Sequence, residues 1–176
     1  LRTNKYTFEI LMLCGFTHDS SRCPRRFDAF LTPGTTEKLK FINSPKETYV
    51  IKSRLKPQKE LIEVPISSMF LPFMSNISRI SPLAMSVLRK RLFKESLKTG
   101  LSLNFLTHPN EFIDLEGKPK TAYRSNNFWG YLLTDFLRHK LKLIRMGKEG
   151  LDLLEEEVRL AKAKGFRFKT IGSVKL

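Results

Sequence analysis

The chain has 176 residues, 41% of them hydrophobic and 28% charged, with 14 phenylalanines. Residues 1–176 therefore carry ordinary globular composition with enough bulk for a single domain and a real core, which excludes a disordered or low-complexity protein. The formal net charge of +15 points to an anionic partner: nucleic acid, an acidic polymer or an anionic membrane surface. The charge is spread along the chain, however. Its densest runs, Arg89-Lys90-Arg91 and Arg138 to Lys148, fall on predicted helices, where charged faces are usually just solvated. A basic footprint without a base-reading or stacking motif argues against nucleic acid. No run of about 18 or more apolar residues occurs, so no transmembrane segment is expected. The opening stretch Leu1 to Glu9 is polar and mixed and does not read as a signal peptide. A leucine at the first position fits a fragment, a processed chain or an incomplete gene product.

In chain order, Thr3 to Cys14 reads as a helix closed by Gly15, with Phe8, Leu11 and Met12 as its buried stripe. Residues 22–46, rich in Pro, Gly, Thr and charge, read as a long loop. Thr48 to Lys52 and Leu61 to Ile66 read as strands, the second with Ile62, Val64 and Ile66 on its inward face by alternation. Pro65 makes that strand an edge there or ends it early, because proline donates no ladder hydrogen bond. Met69 to Met74 is a hydrophobic turn or cover.

Ser81-Pro82 opens a helix, serine as cap and proline in the first turn, running to Thr99 and stopped by Gly100. Val87, Leu88, Leu92 and Leu97 are its candidates for burial. Leu101 to Thr107 alternates and is the clearest strand. After a polar loop with Gly117 and Pro119, helices are expected over Asn127 to Met146 and after Gly147, the latter burying Leu151, Leu154, Val158 and Ala161. Gly165 stops that helix, and Phe166 to Ile171 alternates as a final strand. Strands separated by long helices imply crossovers and a parallel sheet, so the fold class is α/β.

His108 is the leading chemical candidate. It follows the clearest strand and precedes Pro109, and side chains at the C-terminal ends of parallel strands face the ligand crevice. A histidine is suited to general acid–base work there; otherwise it holds a turn by a hydrogen bond. Glu111 and Asp114 could orient His108 or bind a cation, although acids in such loops are more often solvated. Asp19-Ser20-Ser21 reads by default as a turn with the Asp bonded to nearby amides. No G-x-S-x-G elbow and no Gly-rich phosphate loop is present. The three histidines, His18, His108 and His139, form no H-x-x-x-H or H-E-x-x-H pair, and His139 reads as an exposed helix residue. The two cysteines, Cys14 and Cys23, read as a buried thiol and a loop thiol, both reduced.

Several segments together resemble a family. Leu11 to Pro24, LMLCGFTHDSSRCP, resembles the L-x-x-L-G-F-x-Y-D-S-S-x-x-P stretch of the polysaccharide deacetylases, carbohydrate esterase family 4. Phe105 to Phe112, FLTHPNEF, resembles that family's last motif, a strand followed by His-Pro and an acid. The leucine- and glutamate-rich helix followed by KGFRFKTI resembles its closing helix and strand, and Leu1-Arg2 resembles the tail of its Phe-Arg motif. The resemblance implies part of a distorted parallel (β/α) barrel that removes N-acetyl groups from amino-sugar polymers. It implies that His108 protonates the leaving amine and that Arg2 positions the catalytic Asp. Asn110 and Glu111 are then candidate substrate contacts, Asn110 standing where many relatives carry an aromatic residue.

The family's Asp-Asp and H-x-x-x-H motifs, which supply the base and the metal ligands, do not occur in this chain. No cofactor is therefore expected here, while zinc or another divalent metal is expected in a full-length member. The reading is the C-terminal part of a deacetylase-like hydrolase, inactive alone, whose parent acts on a polysaccharide or amino-sugar substrate. The competing readings are a basic non-catalytic binding module for nucleic acid or anionic polymer, and a degenerate scaffold of the same fold. Half a barrel leaves open strand edges and an apolar face, so self-association is expected.

Overall fold

The computed structural model describes residues 6–25, 42–114, 131, 136 and 138–175. It is a mixed α/β protein that divides into two compact units. The first draws on Leu1–Phe73, Leu88–Phe105 and Arg167–Leu176, the second on Met74–Val87 and Leu106–Phe166.

The first unit opens with α1 (Thr7–Leu13). Its end carries the paired bonds of a glycine-stopped helix: Phe16 N–H to Leu11 O at 3.0 Å and Gly15 N–H to Met12 O at 3.2 Å. Met12 is buried while Phe8 and Leu11 are half-buried, so the expected stripe forms; Thr3 to Lys5 lie outside the described residues. Three strands follow: β1 (His18–Asp19), β2 (Tyr49–Lys52) and β3 (Glu60–Glu63), in the spatial order β1-β3-β2.

β1 runs parallel to β3, but β2 is antiparallel to it, which corrects the expectation of an all-parallel sheet. The reason is the short connection Ser53–Lys59. A parallel crossover needs about a dozen residues or more, whereas a tight hairpin needs few. Ser53 N–H donates to Lys59 O at 3.0 Å, and the Ser53 hydroxyl oxygen accepts from the N–H groups of Leu55 and Lys56 at 3.2 and 2.9 Å.

β3 ends at Glu63, two residues before Pro65, and it is central rather than an edge. Its phase also differs from the expected one. Leu61 and Glu63 have no exposed surface, while Ile62 is only half-buried. Val64 and Ile66 are buried beyond the strand, where their N–H groups reach Asp19 O and Arg22 O, both at 2.8 Å.

α3 (Pro82–Thr99) forms as expected, with the Ser81 hydroxyl accepting from Ala84 N–H at 3.3 Å. Leu88 and Leu92 are buried on it, and Phe93 joins them; Val87 and Leu97, expected inside, are exposed at 46% and 61%. Phe73 packs edge-on against Phe93 and Phe105, ring centroids 6.4 and 4.7 Å away.

Leu101 to Thr107 is not a regular strand. Asn104 is tied instead to Ser67: Ser67 N–H donates to Asn104 O at 3.1 Å, and Asn104 N–H donates to the Ser67 hydroxyl at 2.8 Å. Side-chain bonding of this kind replaces a ladder. Phe166 to Ile171 forms no strand either; Phe168 is exposed, and a 3-10 turn (Ile171–Ser173) follows.

The second unit holds α2 (Ser75–Ile80), a 3-10 turn (Pro109–Phe112), α4 (Arg138–Leu143) and α5 (Lys148–Ala163). α2 had no counterpart in the sequence reading. Of the helix expected over Asn127 to Met146, α4 is present, and residues 127–130, 132–135 and 137 lie outside the described residues. α5 spans its expected range, but Leu151 is exposed and Glu157 is buried. Both α2 and the 109–112 turn pack against α5.

The phase of β3 is open to test. Leu61→Ala should lower stability by about 2–5 kcal/mol, a fully buried leucine losing both transfer energy and packing. Ile62→Ala should cost clearly less, read as a smaller shift of the urea midpoint. The reverse order would put the other face of the strand inside.

Candidate functional site

Two side-chain clusters carry chemistry, one in each unit. In the second unit, His108 lies at the end of the 101–107 segment with extended backbone, φ −118° and ψ 130°. Pro109 begins the 3-10 turn, and His108 O accepts Glu111 N–H at 2.9 Å. The His108 and Asn110 side chains are exposed.

Glu111 is not solvated as loop acids usually are; it is 3% exposed. One carboxylate oxygen lies 3.4 Å from Arg79 Nη2, and the other accepts from the Ser75 hydroxyl. Arg79, equally buried, donates to Ile144 O at 2.8 Å and to Asn76 Oδ1. The Glu111 carboxylate is thus committed to α2 rather than to the His108 imidazole or a cation.

The turn is also fixed through its backbone. Glu111 O accepts Gly147 N–H at 2.9 Å, and a Cβ on Gly150 would stand 2.7 Å from the same oxygen. Gly147 has φ +65°, and a Cβ there would run into the Asp114 carboxylate. That carboxylate accepts Lys148 N–H at 3.3 Å, placing a negative group at the N-terminus of α5. Arg2 lies outside the described residues.

In the first unit a polar row crosses the sheet. Asp19 and Glu63 are register partners between β1 and β3, and Tyr49 and Glu63 are partners between β2 and β3. Register partners project from one face, so the three side chains stand side by side. Glu63 Oε1 accepts Arg22 N–H at 2.9 Å, while buried Glu63 Oε2 has no hydrogen-bond partner.

The Arg22 guanidinium donates to the Tyr49 hydroxyl at 2.6 Å and sits over the rings of Phe8 and Tyr49, 4.6 and 5.5 Å from their centroids. Burial, reinforced by the neighbouring Asp19, pushes the Glu63 carboxyl up to about 7, against the opposing pull of Arg22. Burial also raises the Tyr49 hydroxyl.

Asp19-Ser20-Ser21 is therefore less a free turn than the end of β1. The Ser21 hydroxyl donates to Asp19 Oδ2, and Asn104 Nδ2 donates to the Ser20 hydroxyl at 2.6 Å and to Val64 O at 3.1 Å. The sequence reading missed Glu63, Tyr49, Arg22 and Asn104. The available signal was Glu63 alternating with Leu61 in Glu-Leu-Ile-Glu-Val-Pro.

His18 Nε2 lies 2.9 Å from Val174 O, and Nδ1 lies 2.9 Å from the Thr17 hydroxyl. A carbonyl only accepts, so Nε2 carries the hydrogen. His139 is half-buried on α4, not exposed as expected. Cys14 is exposed and Cys23 buried, the reverse of the expected order, and neither forms a disulfide.

Among the described residues no three His, Cys, Asp or Glu side chains converge as metal ligands. No helix among the described residues is long and apolar enough to cross a membrane. Comparison with family models, with curated proteins and with solved structures returns no match.

The buried pair in the second unit can be probed by removing one partner and then both. Arg79→Met should destabilise by about 3–5 kcal/mol in urea denaturation, because it strands the Glu111 carboxylate inside. Arg79→Met combined with Glu111→Leu should recover much of that loss. No recovery would mean the Arg79 bonds to Ile144 and Asn76 dominate instead.

Proposed function

We propose that this chain is the C-terminal part of a polysaccharide deacetylase-like hydrolase, contributing the acid that protonates the leaving amine when an N-acetyl group is removed from an amino-sugar polymer. The observation that carries the reading is the setting of His108. Its imidazole is exposed, it follows an extended segment, and it precedes a turn held from beneath by buried Glu111 and Arg79.

Support also comes from the order of the motifs. The stretch from Leu11 to Pro24 runs as helix, glycine stop, short strand and Asp-Ser-Ser. In the family that this order resembles, the strand-end histidine stands late in the chain, as His108 does.

The base and the metal ligands would come from the Asp-Asp and H-x-x-x-H motifs, which this sequence does not contain. The same segments would complete a (β/α) barrel; the described residues form a small open three-stranded sheet. Alone, a positioned acid is worth about 10²–10⁴-fold, so the isolated chain should show no useful turnover.

The test is His108→Ala in a protein that carries this chain together with the earlier motifs. The kcat for deacetylation should fall about 10²–10⁴-fold, with bound zinc unchanged. Unchanged turnover removes His108 from the reaction.

The charge of +15 favours one competing reading, a basic module for nucleic acid or anionic polymer. Titration of the chain with duplex DNA and with an acidic glycan separates the two. Binding that weakens steeply with salt supports the module, and absence of binding at moderate salt opposes it.

A further inference from the structure

We propose that Glu63 holds a buried proton and donates it in a hydrogen bond to Asp19, and that this bond latches β1 to β3. The argument starts from geometry. The two residues are register partners on one sheet face, with Tyr49 next in the row. Glu63 has no exposed surface. Oε1 is satisfied by Arg22 N–H at 2.9 Å, but Oε2 meets no donor. An ionised carboxylate oxygen buried without a donor, beside a second carboxylate, is strongly disfavoured. A proton on Oε2, donated toward Asp19, removes both penalties at once.

The other charged groups nearby have contacts of their own, and the Arg22 charge opposes the proton on Glu63. The Arg22 guanidinium is directed to the Tyr49 hydroxyl and stacked over Phe8. From α1, Glu9 accepts from the Ser53 hydroxyl and Arg54 N–H, both at 2.7 Å. Lys59 donates its ammonium to Met12 O at 2.9 Å, and on the outer end of the hairpin Lys52 lies 3.8 Å from Glu60. Asp19 itself accepts from the Ser21 hydroxyl, which leaves it able to accept a second proton donor.

The sign of the effect follows from the direction of the shift. Burial first, then Asp19, raises the Glu63 carboxyl from its ordinary 4.5 to about 7. The folded chain thus keeps a proton that the unfolded chain releases. The stabilisation is complete below about 4.5 and is lost as pH rises through about 7.

Above that range two like charges stand on neighbouring register positions of a two-residue strand. The backbone bonds that still join β1 to β3 are Ile62 N–H to Thr17 O and Val64 N–H to Asp19 O, each 2.8 Å. The segment Thr17 to Arg22, which carries Asp-Ser-Ser, is the part that loosens.

The experiment compares the chain with its Glu63→Gln variant in urea unfolding from pH 5 to 8. Glutamine reproduces the protonated acid: its carbonyl accepts from Arg22 N–H, and its amide donates to Asp19. The variant should match the parent at pH 5. Between pH 5 and 7 the parent's unfolding constant should rise by up to about tenfold per unit relative to the variant's. The difference between the two profiles isolates Glu63 from the three histidines, which both proteins share. Identical profiles overturn the proposal.

A second measurement needs no variant. The ¹³C shift of the Glu63 carboxyl should titrate near neutrality, and the amides of residues 17–22 should exchange faster above that point. Titration in the ordinary carboxylate range overturns the latch, whatever the variant does.

Discussion

β3 carries the constraint on which the first unit depends, because it has a neighbour on each side and hides Leu61 and Glu63 completely. A strand flanked on both sides fixes register as well as position, since a slip of one residue would turn Leu61 and Glu63 outward. The leucine supplies the apolar contact. The glutamate supplies something an apolar residue cannot, an acceptor for Arg22 N–H at the point where the chain leaves β1. The side chain thus sets where the Asp-Ser-Ser segment meets the sheet. Arg22 completes the row by bridging Tyr49 and Phe8, so strands β1, β2 and helix α1 are referenced to one residue of β3.

The two buried glutamates solve the same electrostatic problem in different ways. Glu111 meets a guanidinium and a hydroxyl, and its charge is compensated inside the second unit. Glu63 meets one backbone N–H on one oxygen, has no hydrogen-bond partner on the other, and stands beside Asp19. A compensated buried pair is expensive to break. A carboxyl beside a carboxylate has proton uptake as its remaining outlet. The first arrangement suits a rigid support and the second suits a joint that responds to its surroundings.

Local signals in the sequence were reliable where one residue decides the outcome. Gly15 and Gly165 stop α1 and α5, Ser81 caps α3, and Pro109 opens the turn after His108. What failed depended on partners far away in sequence. Alternation in Glu-Leu-Ile-Glu-Val-Pro-Ile offers two phases, and counting apolar residues favours Ile62, Val64 and Ile66. Leu61 and Glu63 are buried within β3, and Val64 and Ile66 are buried just beyond its end. The antiparallel β2–β3 pair was written in the brevity of Ser53–Lys59, but the helical spacing elsewhere suggested crossovers. Leu101 to Thr107 has strand composition, yet Asn104 uses its amide to hold Ser20 and Val64.

The same distinction separates His108 from its neighbours at the candidate site. Sequence position places His108, Asn110, Glu111 and Asp114 together in one loop, with His108 the leading candidate. Burial divides them. Glu111 is spent on Arg79 and Ser75, Asp114 is spent on the start of α5, and Gly147 and Gly150 admit close backbone approach to the turn. With those groups committed, the turn has little freedom to move, and the histidine ahead of it is presented at a fixed point with its ring in solvent. A general acid needs such presentation more than it needs neighbours of its own, because proton transfer depends on the distance to the leaving group. Glu111 and Asp114 are therefore spent on holding the turn that follows His108.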